Sequence, residues 1–126
     1  MSAETEPLLC IAMDGHPPSA NAVLRSGVKR RIRDKKYWQL YAWCEAVQRW
    51  RRPPLRRARL RIRYVRKGGR PLDPDNVFPK YIIDGIRAAH VIVDDSPEYV
   101  ALDVVQELGP GRRVVVEVYP WDVGDG

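Results

Sequence analysis

Between Ala58 and Val65 the chain alternates with period two: Leu60, Ile62 and Tyr64 fall on one side, Arg59, Arg61 and Arg63 on the other. Only an extended strand sends successive side chains to opposite faces, so this segment reads as a strand with one face in a core and one toward solvent. A half-buried strand needs partner strands beside it and a second layer over its apolar face. Partners are available. Residues 8–13, LLCIAM, have the length of a buried strand, and Val91-Ile92-Val93 is a shorter apolar stretch. Tyr99–Leu108 and Arg113–Tyr119 are β-branched runs joined by Gly109-Pro110-Gly111, which reads as an antiparallel hairpin.

Two helices supply the second layer. Residues 33–50 place Trp38, Tyr41, Ala42, Cys44, Ala46, Val47 and Trp50 at mixed three- and four-residue spacing, with Pro53-Pro54 as the stop. A second helix starts within Asn76–Lys80 and carries Ile82, Ile83, Ile86 and Ala89. The stretch Asp14-Gly15-His16-Pro17-Pro18-Ser19-Ala20-Asn21 reads as irregular, because two prolines and a glycine interrupt it. The order of elements predicts one α+β domain over residues 1–126, with a mixed sheet, a C-terminal antiparallel hairpin and two main helices. Residues 1–7 and 121–126 are expected to fray.

Charge is unevenly spread. Residues 29–70 carry 17 Lys and Arg against Asp34 and Glu45, a net +15, whereas residues 71–126 come to −7 and the whole chain to +6. A basic middle beside an acidic second half predicts a polyanion-binding surface next to a carboxylate-rich site. Arg59, Arg61 and Arg63 have no acidic partner within their own segment. Flanked by Arg56, Arg57, Arg66, Lys67 and Arg70, they are the first candidates for phosphate contact, with a merely solubilising face as the alternative. Lys29, Arg30, Arg31, Arg33, Lys35 and Lys36 form a similar cluster, read as a mobile arm or a solvated face. Trp38, Trp43 and Trp50 recur at helical spacing and read as core or dimer packing rather than base-stacking groups.

Other features exclude functions. No run of about 18 apolar residues exists, so no membrane span is expected. The acidic start MSAETEPLL does not resemble a signal peptide. Cys10 and Cys44 are too few for a zinc site or a disulfide framework and read as buried reduced thiols, which predicts a cytoplasmic setting.

The chemistry concentrates in carboxylates. Asp73 and Asp75 are two apart, and an extended path would send both side chains from one face with Cα atoms roughly 6.5–7 Å apart. Carboxylates that close repel unless protonated or bridged by a cation, and hard Mg²⁺ or Mn²⁺ suits their oxygens. Asp94 and Asp95 form a second acidic pair one helix later, with Lys80 and Asp84 between. Such a cluster beside a basic segment fits metal-assisted phosphodiester hydrolysis. Each piece also has a plain structural reading: Asp-Pro-Asp-Asn and Asp-Asp-Ser-Pro are turn and cap sequences, and Lys80 with Asp84 is an ordinary i,i+4 pair.

Three blocks in order resemble the RusA family of Holliday-junction resolvases. They are Gly15-His16-Pro17-Pro18-Ser19-Ala20-Asn21; Arg70-Pro71-Leu72-Asp73-Pro74-Asp75-Asn76 with Lys80 and Ile83-Asp84-Gly85-Ile86; and Val93-Asp94-Asp95-Ser96. The resemblance implies that Asp73, Asp75 and Asp95 are catalytic carboxylates holding Mg²⁺ (with Mn²⁺ as a substitute). It implies that Asp94 supports them, that Lys80 is an active-site lysine near the scissile phosphate, and that Asn21 contacts substrate or shapes the site. It further implies a homodimer that places paired nicks in a four-way DNA junction. One departure stands out: three residues, Val77-Phe78-Pro79, separate Asn76 from Lys80 where the family usually has two. Two other readings stay open, a non-catalytic nucleic-acid-binding protein on the same fold and a nuclease for flaps, forks or RNA.

Overall fold

The computed structural model describes residues 6–121. Four strands form one sheet: β1 (Leu9–Asp14), β2 (Ala58–Arg66), β3 (Val100–Leu108) and β4 (Arg113–Pro120). Three helices accompany them: α1 (Ala20–Arg25), α2 (Val28–Arg49) and α3 (Lys80–Ala88). The α+β class with a mixed sheet is therefore as expected.

The alternation in β2 works as predicted. Ala58, Leu60, Ile62 and Tyr64 are buried, and the arginines face the other way. Their buried face joins Ile11 and Met13 of β1 and Val114, Val116 and Val118 of β4, and Ile82 and Ile86 of α3 with Ala42 and Ala46 of α2 close over it. Each fully buried aliphatic side chain contributes roughly 1.5–3 kcal/mol relative to leaving it exposed.

The expected C-terminal hairpin is not formed. The sheet order is β1-β4-β2-β3, so β3 and β4 flank β2 instead of pairing with each other. β2 pairs with β3 in parallel and with β4 antiparallel. The link at 109–112 crosses the end of β2. The Gly109 N–H donates to the Arg66 carbonyl at 2.9 Å. A Cβ on Gly109 would stand 2.5 Å from Val65 Cγ1, so this glycine permits a close crossing rather than a tight turn. Val91-Ile92-Val93 is no sheet strand either; Ile92 makes an isolated parallel bridge with Leu55.

Two helical segments depart from the expectation. α2 begins five residues before 33, so the basic cluster read as a mobile arm is the first part of a continuous helix. Lys and Arg are good helix formers even where no apolar stripe marks the segment. α1 begins at Ala20, inside the stretch 14–21 read as irregular, with the Ser19 Oγ accepting from the Ala22 N–H at 3.2 Å. Of the ends expected to fray, 1–5 and 122–126 lie outside the described residues. Leu8 is already hydrogen-bonded to Val118, and Trp121 lies under the Arg57 guanidinium, 5.9 Å from the ring centre.

His16 ties the Pro-Pro loop to the sheet. Its Nε2–H lies 2.7 Å from the Val65 carbonyl and 3.1 Å from that of Arg113, with the ring edge-on to Tyr64. Burial lowers the imidazole pKa, the nearby Arg112 charge lowers it further, and the two carbonyls act in the opposite sense. A lowered native pKa means that the unfolded chain takes up the proton first, so the stabilisation is complete above about pH 6.5 and is lost as pH falls through that value and below. His16→Gln is therefore expected to unfold at lower temperature than the wild type at pH 7.5, with the gap narrowing toward pH 5. Thermal unfolding of both across that range checks the sign.

Candidate functional site

The carboxylate loop follows β2 and is held at both ends. At its start, the Leu72 N–H donates to Gln106 Oε1 and the Gln106 Nε2 donates back to the Leu72 carbonyl, both at 2.8 Å, clamping the loop to β3. At its far side, Asn76 Oδ1 accepts from the Asn21 N–H at 2.8 Å, which joins the loop to the first turn of α1. Asn21 thus meets the loop through its backbone, and its exposed side chain is not needed for that contact. Neither Gln106 nor the connecting role of Asn76 is visible in the sequence. Gln106 lies 34 positions from Leu72 in an ordinary strand, and only the parallel β2–β3 pairing brings it there.

Asp73 and Asp75 do not lie on an extended segment. Pro74–Asn76 is a single 3₁₀ turn, closed by the Asn76 N–H on the Asp73 carbonyl at 2.8 Å. Pro74, with its preset φ, starts that turn, so the extended-strand spacing does not apply. The turn reading is therefore correct for the backbone. It does not account for the side chain: the Asp73 carboxylate makes no capping hydrogen bond, and both aspartates are exposed.

The third block reaches the second through Lys80. Lys80 opens α3, with Pro79 as its N-cap. Its Nζ stands 3.3 Å from Asp84 Oδ1 and 3.9 Å from Asp95 Oδ2. The additional residue before Lys80 thus leaves it beside Asp95. Asp94 turns its carboxylate back, accepting from the Asp95 N–H at 2.7 Å, and so fixes the backbone on which Asp95 stands. An apolar cavity of about 400 Å³ adjoins this pair, walled by Phe78, Pro79, Ile83, Pro97, Val100 and Leu102. Among the described residues, no group of three or more His, Cys, Asp or Glu is assembled closely enough to hold a metal ion.

The arginine face of β2 is not unbalanced, as the sequence had implied. Arg61 Nε is 3.1 Å from Asp103 Oδ2 on β3. Arg63 hydrogen-bonds Glu107 on β3 and, at 3.2 Å, Glu117 on β4. Arg59 stacks 5.4 Å from the centre of the Tyr119 ring. These acids sit 42, 44 and 54 positions from their arginines, beyond any local reading of charge. Half-exposed pairs of this kind contribute only up to about 1 kcal/mol each, so their main consequence is electrostatic: the open face of the sheet carries its own counterions. Arg66 is turned to the Gly69 carbonyl at 3.2 Å, while Lys67 and Arg70 are exposed in the loop.

The cysteines depart from the expectation. Cys10 lies exposed on that open face and Cys44 is half-buried, so neither is the buried thiol expected. Local desolvation and the neighbouring Glu117 push the Cys10 pKa up, away from the reactive thiolate. Among the described residues no helix is long and apolar enough to cross a membrane. No protein-family model matches the chain, and no curated protein matches it.

Proposed function

We propose that this chain is a metal-dependent endonuclease that nicks branched DNA, with a four-way junction as the preferred substrate. The supporting observation is the convergence of three blocks far apart in sequence. The Asn21–Asn76 hydrogen bond joins the first to the second, and the Lys80–Asp95 contact joins the second to the third. Turn and cap sequences serving only local structure have no reason to meet in this way.

Asp73, Asp75 and Asp95 are the proposed holders of Mg²⁺. Their donor set is all carboxylate oxygen, which suits a hard cation, and Asp73 is not spent on capping its turn. When bound, the ion activates water and offsets charge on the scissile phosphate. The protein's own groups do the positioning. Gln106 and Asn76 hold the loop, Asp94 sets Asp95, and Lys80 offers a phosphate oxygen an ammonium that Asp84 holds by a hydrogen bond. One site cuts one strand, so paired nicks call for two copies of the chain related by the two-fold axis of the junction. Such an enzyme belongs to the cytoplasm of a bacterium or a phage-infected cell.

A second reading has an observation of its own. Asp95 faces Lys80, and the carboxylates are not pre-assembled around a metal, which favours a non-catalytic nucleic-acid-binding protein on the same scaffold. Incubation of a labelled synthetic four-way junction with the protein in Mg²⁺, Mn²⁺ or EDTA separates the two. Nicked product in Mg²⁺ and Mn²⁺ and none in EDTA is expected; binding without product in any divalent ion supports the second reading. Flap, fork and RNA competitors then rank the substrates.

A further inference from the structure

We propose that the first ten residues of α2, Val28–Tyr37, form a rigid basic rod that grips the phosphate backbone of a duplex DNA arm, and that the β2 arginines do not. The inference rests on the nuclease reading for the identity of the polyanion.

The rod buries none of its residues in the core, and Tyr37 at its end stands edge-on to Trp38 and Tyr41. The buried residues of α2 begin at Trp38, followed by Ala42 and Ala46. Every residue from Val28 to Tyr37 is exposed except half-buried Asp34. At 1.5 Å per residue, about 15 Å of helix projects beyond the core. Six cations stand on it, Lys29, Arg30, Arg31, Arg33, Lys35 and Lys36, and Asp34 is the only acid, 3.8 Å from Arg30. Lys29, Arg33 and Lys36 fall at i, i+4 and i+7, one stripe on the side away from Trp38. The first turn of α2 holds no acidic residue, so its cations oppose the helix dipole, with Asp34 one turn later beside Arg30. Nearby phosphates would remove that penalty.

The same comparison sets β2 aside. Arg61 and Arg63 already have carboxylate partners on both neighbouring strands, and Arg59 covers Tyr119. A phosphate approaching that face meets Asp103, Glu107 and Glu117 as well.

Position completes the case. α1 ends at Arg25 and α2 starts at Val28, so α1 fixes the root of the rod. The Asn21–Asn76 hydrogen bond holds α1 against the turn that carries Asp75. DNA lying along the rod is thereby led toward the carboxylate loop. The major groove of B-DNA is about 12 Å wide and admits a helix, and a rod of this charge can also lie along one strand's phosphates.

Fluorescence anisotropy of a labelled four-way junction in EDTA, across 50–200 mM salt, tests the assignment without requiring cleavage. The variant K29Q/R33Q/K36Q, whose substitutions touch no buried residue, is expected to bind at least about tenfold more weakly. The slope of log K on log salt should become shallower by roughly 2–3, at about 0.9 for each phosphate that is no longer neutralised. R59Q/R61Q should stay within about twofold of wild type, and circular dichroism should show both variants folded. Wild-type affinity in K29Q/R33Q/K36Q, a larger loss in R59Q/R61Q, or no DNA binding by the wild type would each overturn the proposal. So would tighter binding to an RNA duplex of the same sequence. Wild-type protein that binds as expected but cuts nothing in Mg²⁺ removes the nuclease reading and leaves the rod assignment standing.

Discussion

Asp75→Asn is expected to abolish nicking of a four-way junction, with a loss of more than about 100-fold, while binding in EDTA stays within about twofold of wild type. The magnitude follows from the role. Residues that merely orient a metal ligand cost roughly 10–100-fold when changed, and loss of a charged ligand itself costs more. Asparagine keeps the shape of the side chain and removes its charge, so the 3₁₀ turn around it, closed by backbone atoms of Asp73 and Asn76, is undisturbed. Removing a negative charge beside a polyanion cannot weaken binding electrostatically. The split between lost cleavage and kept affinity therefore distinguishes a metal-holding carboxylate from a structural one. Single-turnover nicking with enzyme in excess, read beside anisotropy titrations, measures both. Undiminished cleavage by the variant would remove Asp75 from the site.

The second large effect concerns the packing of α2 on α3. A Cβ on Gly85 would stand 2.4 Å from the Gln39 carbonyl oxygen, 2.8 Å from Ala42 Cβ and 3.1 Å from the Trp43 nitrogen. Two of these three atoms are backbone, which cannot turn aside as a long side chain does. Gly85→Ala must separate the helices or bend one of them. Overpacking of this kind costs about 1–3 kcal/mol and occasionally more, against a gain of about 1 kcal/mol in helix propensity. A net loss of up to about 2 kcal/mol is expected, lowering the unfolding midpoint by up to about 8 °C. Because α3 carries Lys80 and Asp84, nicking should fall in the same variant even where it remains folded. Urea and thermal denaturation check the first effect. A midpoint equal to wild type would mean that the helices do not approach as closely as described.

What could be read from the sequence divides along a physical line. Local signals were legible: the period of β2, the apolar face of α3, and the strand segments of β3 and β4. Pairing was not. The hairpin signature Gly109-Pro110-Gly111 and a crossing over Val65 both require glycine, and only the partner strand tells them apart. The Arg61–Asp103 and Arg63–Glu107 pairs were invisible for the same reason, since the parallel register of β2 and β3 creates them. The helical state of Val28–Tyr37 was hidden because its few apolar residues, Val28, Ile32 and Tyr37, are exposed and mark no core face. Around the candidate site, the turn at Pro74–Asn76 was legible and the contacts that join it to its surroundings were not: Gln106 announces itself only through the loop it clamps.

The sheet order has a consequence for how the chain acquires its shape. β4 is the last of the four strands to leave the ribosome, yet it lies inside the sheet, between β1 and β2. β1, made first, has no neighbour except β4, about a hundred residues later. The N-terminal strand must therefore wait for nearly the whole chain before its backbone groups find partners. Contacts of such long sequence separation slow folding and leave strand edges open in the interval. The carboxylate loop is clamped to β3, so its anchor is synthesised before the strand that closes the sheet.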